Sequence, residues 1–125
     1  MMKLRPGIIA FGLALSALTL PGTARSGDLA AEALEKVTQL PAETGRRVYE
    51  GTCVACHARG VMGAPRFGSS GEWGERVDKG METLVRHALE GYQGEQGFMP
   101  AKGGNSKLSP AEVASAVRYM VEKSR

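Results

Sequence analysis

Between Gly51 and Gly104 the chain places twelve glycines in 54 residues, with no alternating apolar run that would build strands around them. Glycine offers no side chain to a core and loses the most conformational freedom on ordering. Aromatic residues make up only 6% of the 125-residue chain, so bulky side chains are scarce as well. A chain of this length holds one domain, and a loop-rich domain of this kind built from protein alone is marginal. Something large and apolar has to fill its centre. With 42% apolar and 23% charged residues and no low-complexity run, the chain is nonetheless globular rather than disordered.

The periodic segments around and between these glycines predict an all-α fold. Asp28–Leu40 spaces Leu29, Ala33, Val37 and Leu40 near the helical period, and Pro41 ends the run. It reads as an extension, either packed on the domain or loosely ordered as an arm. Glu43–Thr52 places Gly45, Val48, Tyr49 and Thr52 on one face and leads directly into Cys53. Ser69-Ser70-Gly71-Glu72 has capping-box spacing ahead of Trp73 and Val77. Met81, Leu84, Val85, Ala88 and Leu89 follow the i, i+3, i+4 pattern, with Gly91 as a stop. In the last helix Ser109 is the N-cap, Pro110 the first residue and Glu112 the capping-box partner. Its expected buried stripe is Val113, Ala116, Val117, Met120 and Val121.

The N-terminus follows different rules. Lys3 and Arg5 precede an apolar run from Ile8 to Leu20, then Pro21, Gly22 and the small-residue site Ala24-Arg25-Ser26. This is the order of a secretory signal peptide, and the run is well short of the ~20 residues that span a membrane. Residues 1–26 are expected to be removed, after Ala24 or Ser26, leaving an extension at 27–41 and a domain at 42–125 in the periplasm. Loss of Lys3, Arg5 and Arg25 leaves thirteen bases against thirteen acids. A neutral mature chain lacks the basic excess that a nucleic-acid binder uses on phosphates.

Cys53-Val54-Ala55-Cys56-His57 supplies the missing filler. Cys-x-x-Cys-His is the attachment signature of c-type haem. Residues three apart on a helix share a face, so both sulfurs reach one porphyrin edge, and the following imidazole is carried to the iron. A zinc site would need a fourth ligand, and three donors within five residues close a tetrahedron poorly. A thioredoxin-like dithiol would need a strand before the motif. An oxidised disulfide is the plain alternative in a secreted chain.

Around this motif the sequence resembles the class I c-type cytochromes. The resemblance rests on Gly45-x-x-x-Tyr49, the Gly-rich middle, Phe98-Met99-Pro100 and Tyr119 in the final helix. Gly-Val-Met-Gly-Ala-Pro at 60–65 and Met-Pro-Ala-Lys-Gly-Gly at 99–104 are similar to the short soluble bacterial cytochrome c-five group. It covers roughly residues 42–125 and implies terminal helices that cross, at Gly45, Tyr49 and Tyr119, beside Gly-rich loops around one haem c. It further implies that the Pro65 carbonyl accepts the other ring N–H of His57. For Trp73 it implies packing on the haem, often with a hydrogen bond to a propionate, with ordinary core packing as the alternative.

Met62, Met81, Met99, Met120 and His87 compete for the second axial position. Met81 and Met120 lie on apolar helical stripes, and Met62 follows His57 too closely to swing round. His87 falls about 130° from the centre of its helix's apolar face and is expected to point to solvent. Met99 sits beside Pro100 in a loop flanked by Gly97 and Gly103-Gly104. The residues leave an open site or another methionine as alternatives; the resemblance selects the same Met99. His57 and Met99 together would fill both axial sites, which argues for electron transfer over oxygen chemistry. The expected function is a monomeric electron carrier, not an enzyme, that docks redox partners transiently at the haem edge. The alternatives are a haem subunit of a redox enzyme, with 27–41 as its docking arm, and a small peroxidase or gas sensor. Arg59, Arg66, Lys102 and Lys107 are expected to form a basic rim at that edge.

Overall fold

A computed structural model describes residues 25–125. Of the expected signal peptide at 1–26, residues 1–24 lie outside the described residues. The elements are α1 (Ser26–Val37), α2 (Thr44–Val48), a π-helical turn (Tyr49–Cys53), α3 (Val54–His57), α4 (Ser70–Val77), α5 (Met81–Glu90) and α6 (Pro110–Lys123). Short 3₁₀ turns occur at Val61–Gly63 and Ala101–Gly104. Two strands, β1 (Tyr92–Gln93) and β2 (Phe98–Met99), pair antiparallel with Tyr92 opposite Met99. That ladder was not expected, because two residues are too short to display a period.

The last helix anchors the fold. Ser109 Oγ accepts the Glu112 N–H, and the Glu112 carboxylate accepts the Ser109 N–H at 2.8 Å, closing the expected capping box. α6 packs against α1, α2 and α5 together. It therefore buries Ala111, Ala114 and Ser115 beyond the expected stripe. The crossing with α2 is set by Gly45, where a Cβ would fall on the carbonyl oxygen of Ser115. Above it Tyr49, Phe67 and Tyr119 cluster, with Tyr49 and Phe67 stacked at 4.4 Å between ring centroids. Ser115 Oγ is buried at this crossing without a hydrogen-bond partner.

α1 is packed on the domain rather than loose. It turns Ala30 and Ala33 into the core, with Leu34 and Val37 against it, while Leu29 is 44% exposed. The buried face is thus rotated from the expected one. Alanines let α1 lie close to α5 and α6, where a leucine would hold it off. The helix ends at Val37, before the expected Leu40, because Pro41 has no N–H to give the Val37 carbonyl, which the Leu40 N–H takes in a turn instead.

α2, the π turn and α3 form one continuous helical run through the Cys-x-x-Cys-His segment. The Val54 N–H bonds back to the Tyr49 carbonyl, five residues earlier, so the run rotates at that point. Val48 and Tyr49 accordingly face the core, while Cys53, Cys56 and His57 face a cavity. α4 begins without its expected capping box. The Glu72 carboxylate instead accepts from the Arg66 N–H at 2.7 Å and from Arg66 Nε at 2.6 Å. The backbone and side-chain donors of Arg66 hold it below the ordinary carboxylate range.

Gly45→Ala should destabilise the protein by about 1–3 kcal/mol, since the methyl meets backbone that cannot rotate away. Ser115→Ala should stabilise it by up to about 1 kcal/mol through loss of an unpaired hydroxyl. Urea unfolding of both variants checks the pair. A second expectation concerns pH. The Ser109 N–H and hydroxyl hold the Glu112 carboxyl below its ordinary value. Its contribution is therefore present above the ordinary carboxylate pKa and lost as pH falls through the depressed folded one. Glu112→Gln should flatten that acid limb of the stability profile.

Candidate functional site

An apolar-walled cavity of about 490 Å³ opens between the Cys53–His57 segment, α4, α5 and the β2 strand. That is within the size range of small-molecule and cofactor sites. Cys53 and Cys56 are half-buried free thiols on its wall. Burial, with a smaller contribution from Cys56, pushes the Cys53 thiol up to about 11, so it is not a reactive thiolate. No cluster of three His, Cys, Asp or Glu side chains among the described residues is placed to hold a metal ion by itself. The zinc reading of the motif has no support in this geometry.

His57 is 6% exposed, and its Nδ1 lies 2.9 Å from the Pro65 carbonyl oxygen. A carbonyl only accepts, so Nδ1 carries the proton and Nε2 keeps its lone pair. Burial lowers the imidazole pKa, against the opposing Pro65 hydrogen bond and with a contribution from the Arg76 charge. His57 is thus neutral at pH 7 and presents one coordinating nitrogen. The Phe67 N–H donates to the His57 carbonyl at 2.7 Å, which fixes the backbone of the same residue. Trp73 is buried, with its ring centroid 5.9 Å from that of His57 and the planes 29° apart. Its Nε1–H donates to the Arg66 carbonyl at 2.9 Å. In this structure the indole N–H is engaged by backbone.

Of the competing axial candidates, Met62, Met99, Met120 and His87 line the same cavity as His57, and Met81 does not. Met120 is buried among the helices, and Met62 is exposed on a left-handed backbone with φ 55°. Met99 is half-buried on β2. Pro100 follows it, and a Cβ on Gly91 would lie 3.1 Å from the Met99 carbonyl oxygen. His87 departs from expectation. It is half-buried on the cavity wall and stacks on Tyr92 with ring centroids 4.1 Å apart. Leu84 and Ala88 of the apolar stripe line the same cavity, which extends round α5 from that face as far as His87.

The expected basic rim is also altered. Arg66 is engaged by Glu72, and Lys102 Nζ donates to the Leu108 carbonyl at 2.8 Å; Arg59 and Lys107 are exposed. The charged residues on the cavity wall are Glu75, Arg76, Lys79 and Glu95, two of each sign. Arg76 was overlooked in the sequence, although its i+3 spacing from Trp73 places it on the same side of α4. Its Nη2 donates to Gln96 Oε1 at 2.9 Å and joins α4 to the loop before β2.

Two thiols and a neutral imidazole on one helical run, facing an apolar cavity inside an all-helical shell, have the donor chemistry of a c-type cytochrome. Residues 40–120 match the family described as cytochrome c oxidase, cbb3-type, subunit III. Cytochrome c-555 of Chlorobaculum tepidum is 48% identical over 84 residues, which cover 67% of this chain and 78% of that protein. Cytochrome c5 of Ectopseudomonas mendocina is 36% identical over 70 residues, covering 54% of this chain and 76% of that protein. A chain in the crystal structure of an electron transfer complex of nitrite reductase with cytochrome c superposes with a TM-score of 0.58 at 33% identity. The superposition covers 66% of this chain and 95% of that one. The chain belongs to the short monohaem class I c-type cytochromes. It is an electron carrier rather than an enzyme, and its cofactor is one covalently bound haem c.

Trp73→Phe should retain the ring beside His57 but leave the Arg66 carbonyl without its donor. Holoprotein stability in denaturant should fall by about 1 kcal/mol. The visible spectrum should be unchanged, since the N–H is spent on backbone.

Proposed function

We propose that this chain is a periplasmic carrier of single electrons, with the haem attached through Cys53 and Cys56 and ligated by His57 and Met99. The observation that carries the reading is that all four side chains line one cavity, with Nδ1 of His57 already committed to Pro65. Haem c, when bound, supplies a one-electron iron couple. The two thiols would hold it covalently at one edge, and the Pro65 carbonyl would keep His57 in the tautomer that coordinates through Nε2. With Met99 and His57 as its ligands, the group would have a higher reduction potential than with two histidines. With the group bound, the apolar wall would limit water around it, which favours a small reorganisation on electron transfer. Trp73 limits the freedom of the His57 ring by packing beside it.

The periplasmic location rests on the signal-peptide order of residues 1–26. Among the described residues no helix is long and apolar enough to cross a membrane. A carrier that docks transiently is favoured over a permanently held subunit because α1 buries its alanines in the chain's own core. It does not extend as an arm. Exposed Val61, Met62, Tyr92 and Phe98 all border the cavity mouth, so the partner would meet an apolar patch there.

The decisive experiment is substitution of the axial candidates in the holoprotein. Met99→Ala should lose the thioether–iron charge-transfer band, bind carbon monoxide and show a lower reduction potential. Met62→Leu, Met81→Leu and Met120→Leu should keep the parent spectrum, being volume-conserving swaps. Loss of the band in one of these instead would move the ligand to that residue. The Cys53→Ala, Cys56→Ala double variant should carry no haem on a denaturing gel. Elution of the native periplasmic protein as a monomer would fit a carrier, and co-elution with a larger protein would favour the subunit reading.

A further inference from the structure

The Val61–Gly63 turn and the loop at 94–97 meet backbone to backbone, with a glycine on each side of the contact. A Cβ on Gly63 would fall on the carbonyl oxygen of Gln96, and 2.6 Å from its carbonyl carbon. A Cβ on Gly97 would fall on the carbonyl oxygen of Met62, and 2.6 Å from that carbonyl carbon. The contact is reciprocal, and neither side offers a side chain that could rotate away. Gly63 also has φ +77°, a backbone conformation strained for residues with a side chain.

The two joined segments lead to different ligands. On one side the turn continues to Pro65, whose carbonyl is bonded to His57, and to Phe67, whose N–H is bonded to the His57 carbonyl. On the other side Gly97 directly precedes β2, which carries Met99. The 94–97 loop is closed on itself by the Gly94 N–H, which donates to the Gly97 carbonyl at 2.9 Å. Arg76 ties it to α4 through Gln96. Two peptide planes in contact are all that separates the chain fixed to the imidazole from the chain that carries the thioether.

We propose that Gly63 and Gly97 are positioning residues for the iron site, their contact setting how closely Met99 approaches the His57 side of the cavity. The inference rests on the reading of Met99 as the axial ligand. A side chain at either glycine presses on carbonyl groups, so the loop carrying β2 must move as a whole and the second axial position opens. Gly74 lacks this role, since a Cβ there meets nothing within 4 Å.

The test uses haem-loaded full-length variants. Gly63→Ala and Gly97→Ala should lose the thioether–iron charge-transfer band and bind imidazole roughly ten- to a hundredfold more tightly than the parent. Covalent haem and helix content by circular dichroism should be retained, and Gly74→Ala should match the parent. A parent-like band and imidazole affinity in both glycine variants would overturn the proposal. If neither variant accumulates as folded holoprotein, Gln96→Ala decides, because it removes the acceptor of Arg76 without adding an atom. An imidazole affinity raised about fivefold, on the scale of one hydrogen bond, would support the proposal, and a parent-like affinity would overturn it. Met99→Ala, measured alongside, separates the two readings. If it alone loses the band, the glycine contact is wrong and the ligand stands. If it keeps the band, the ligand reading fails and takes the proposal with it.

Discussion

The contact of Gly45 with the Ser115 backbone is the constraint from which the rest of the molecule is built. It brings α2 against α6 without intervening side chains, and α6 is the helix on which α1 and α5 also rest. Because α2 runs unbroken into the Cys-x-x-Cys-His segment, the crossing also aims the haem-attachment thiols. The π turn at Tyr49–Cys53 supplies the rotation that lets one helical run serve two purposes. Tyr49 closes the aromatic cluster with Phe67 and Tyr119, while Cys53 and His57 reach the cavity.

Backbone carbonyls hold the two key rings. Pro65 fixes the protonated nitrogen of His57 and Arg66 takes the indole N–H of Trp73, two adjacent residues of one short connection. That connection is itself pinned by the Glu72 carboxylate on Arg66 and by the Phe67 N–H on His57. The result is a rigid imidazole with one lone pair available, prepared by the protein before any iron is considered. Met99, the proposed second ligand, has a different kind of support, since it sits on a two-residue strand held by turns, by Arg76 through Gln96, and by glycine-to-backbone contacts. A site with one stiff side and one side made of loop is suited to a cofactor that contributes much of its own core.

The expectations that failed did so for a common reason. Glu72 has capping-box spacing, yet Arg66 offers it two donors, one of them charged, and captures it. Leu29 has the right period, yet alanines allow the closer approach of α1 and take the buried face. Lys102 has the charge for a docking rim, yet its ammonium satisfies the Leu108 carbonyl. His87 lies off the apolar stripe of α5, yet the cavity that Leu84 and Ala88 line reaches round the helix to it. Each is a choice between two satisfactory arrangements that helical period does not decide.

What the sequence determined alone was chemistry with local range. Two thiols and an imidazole within five residues specify the haem attachment, because their spacing on a helix is fixed by geometry. Ser109, Pro110 and Glu112 specify where α6 starts, because a cap is satisfied within one turn. The glycine-rich, aromatic-poor middle required a large filler, because composition limits how much apolar surface a chain can bury. Tertiary structure decided the rest: the face α1 buries, the bond Trp73 makes, the side of the cavity on which His87 stands, and the glycines that touch across loops. Those outcomes depend on which backbone carbonyl or cavity wall comes within a few ångströms, and helical period carries no information about that distance.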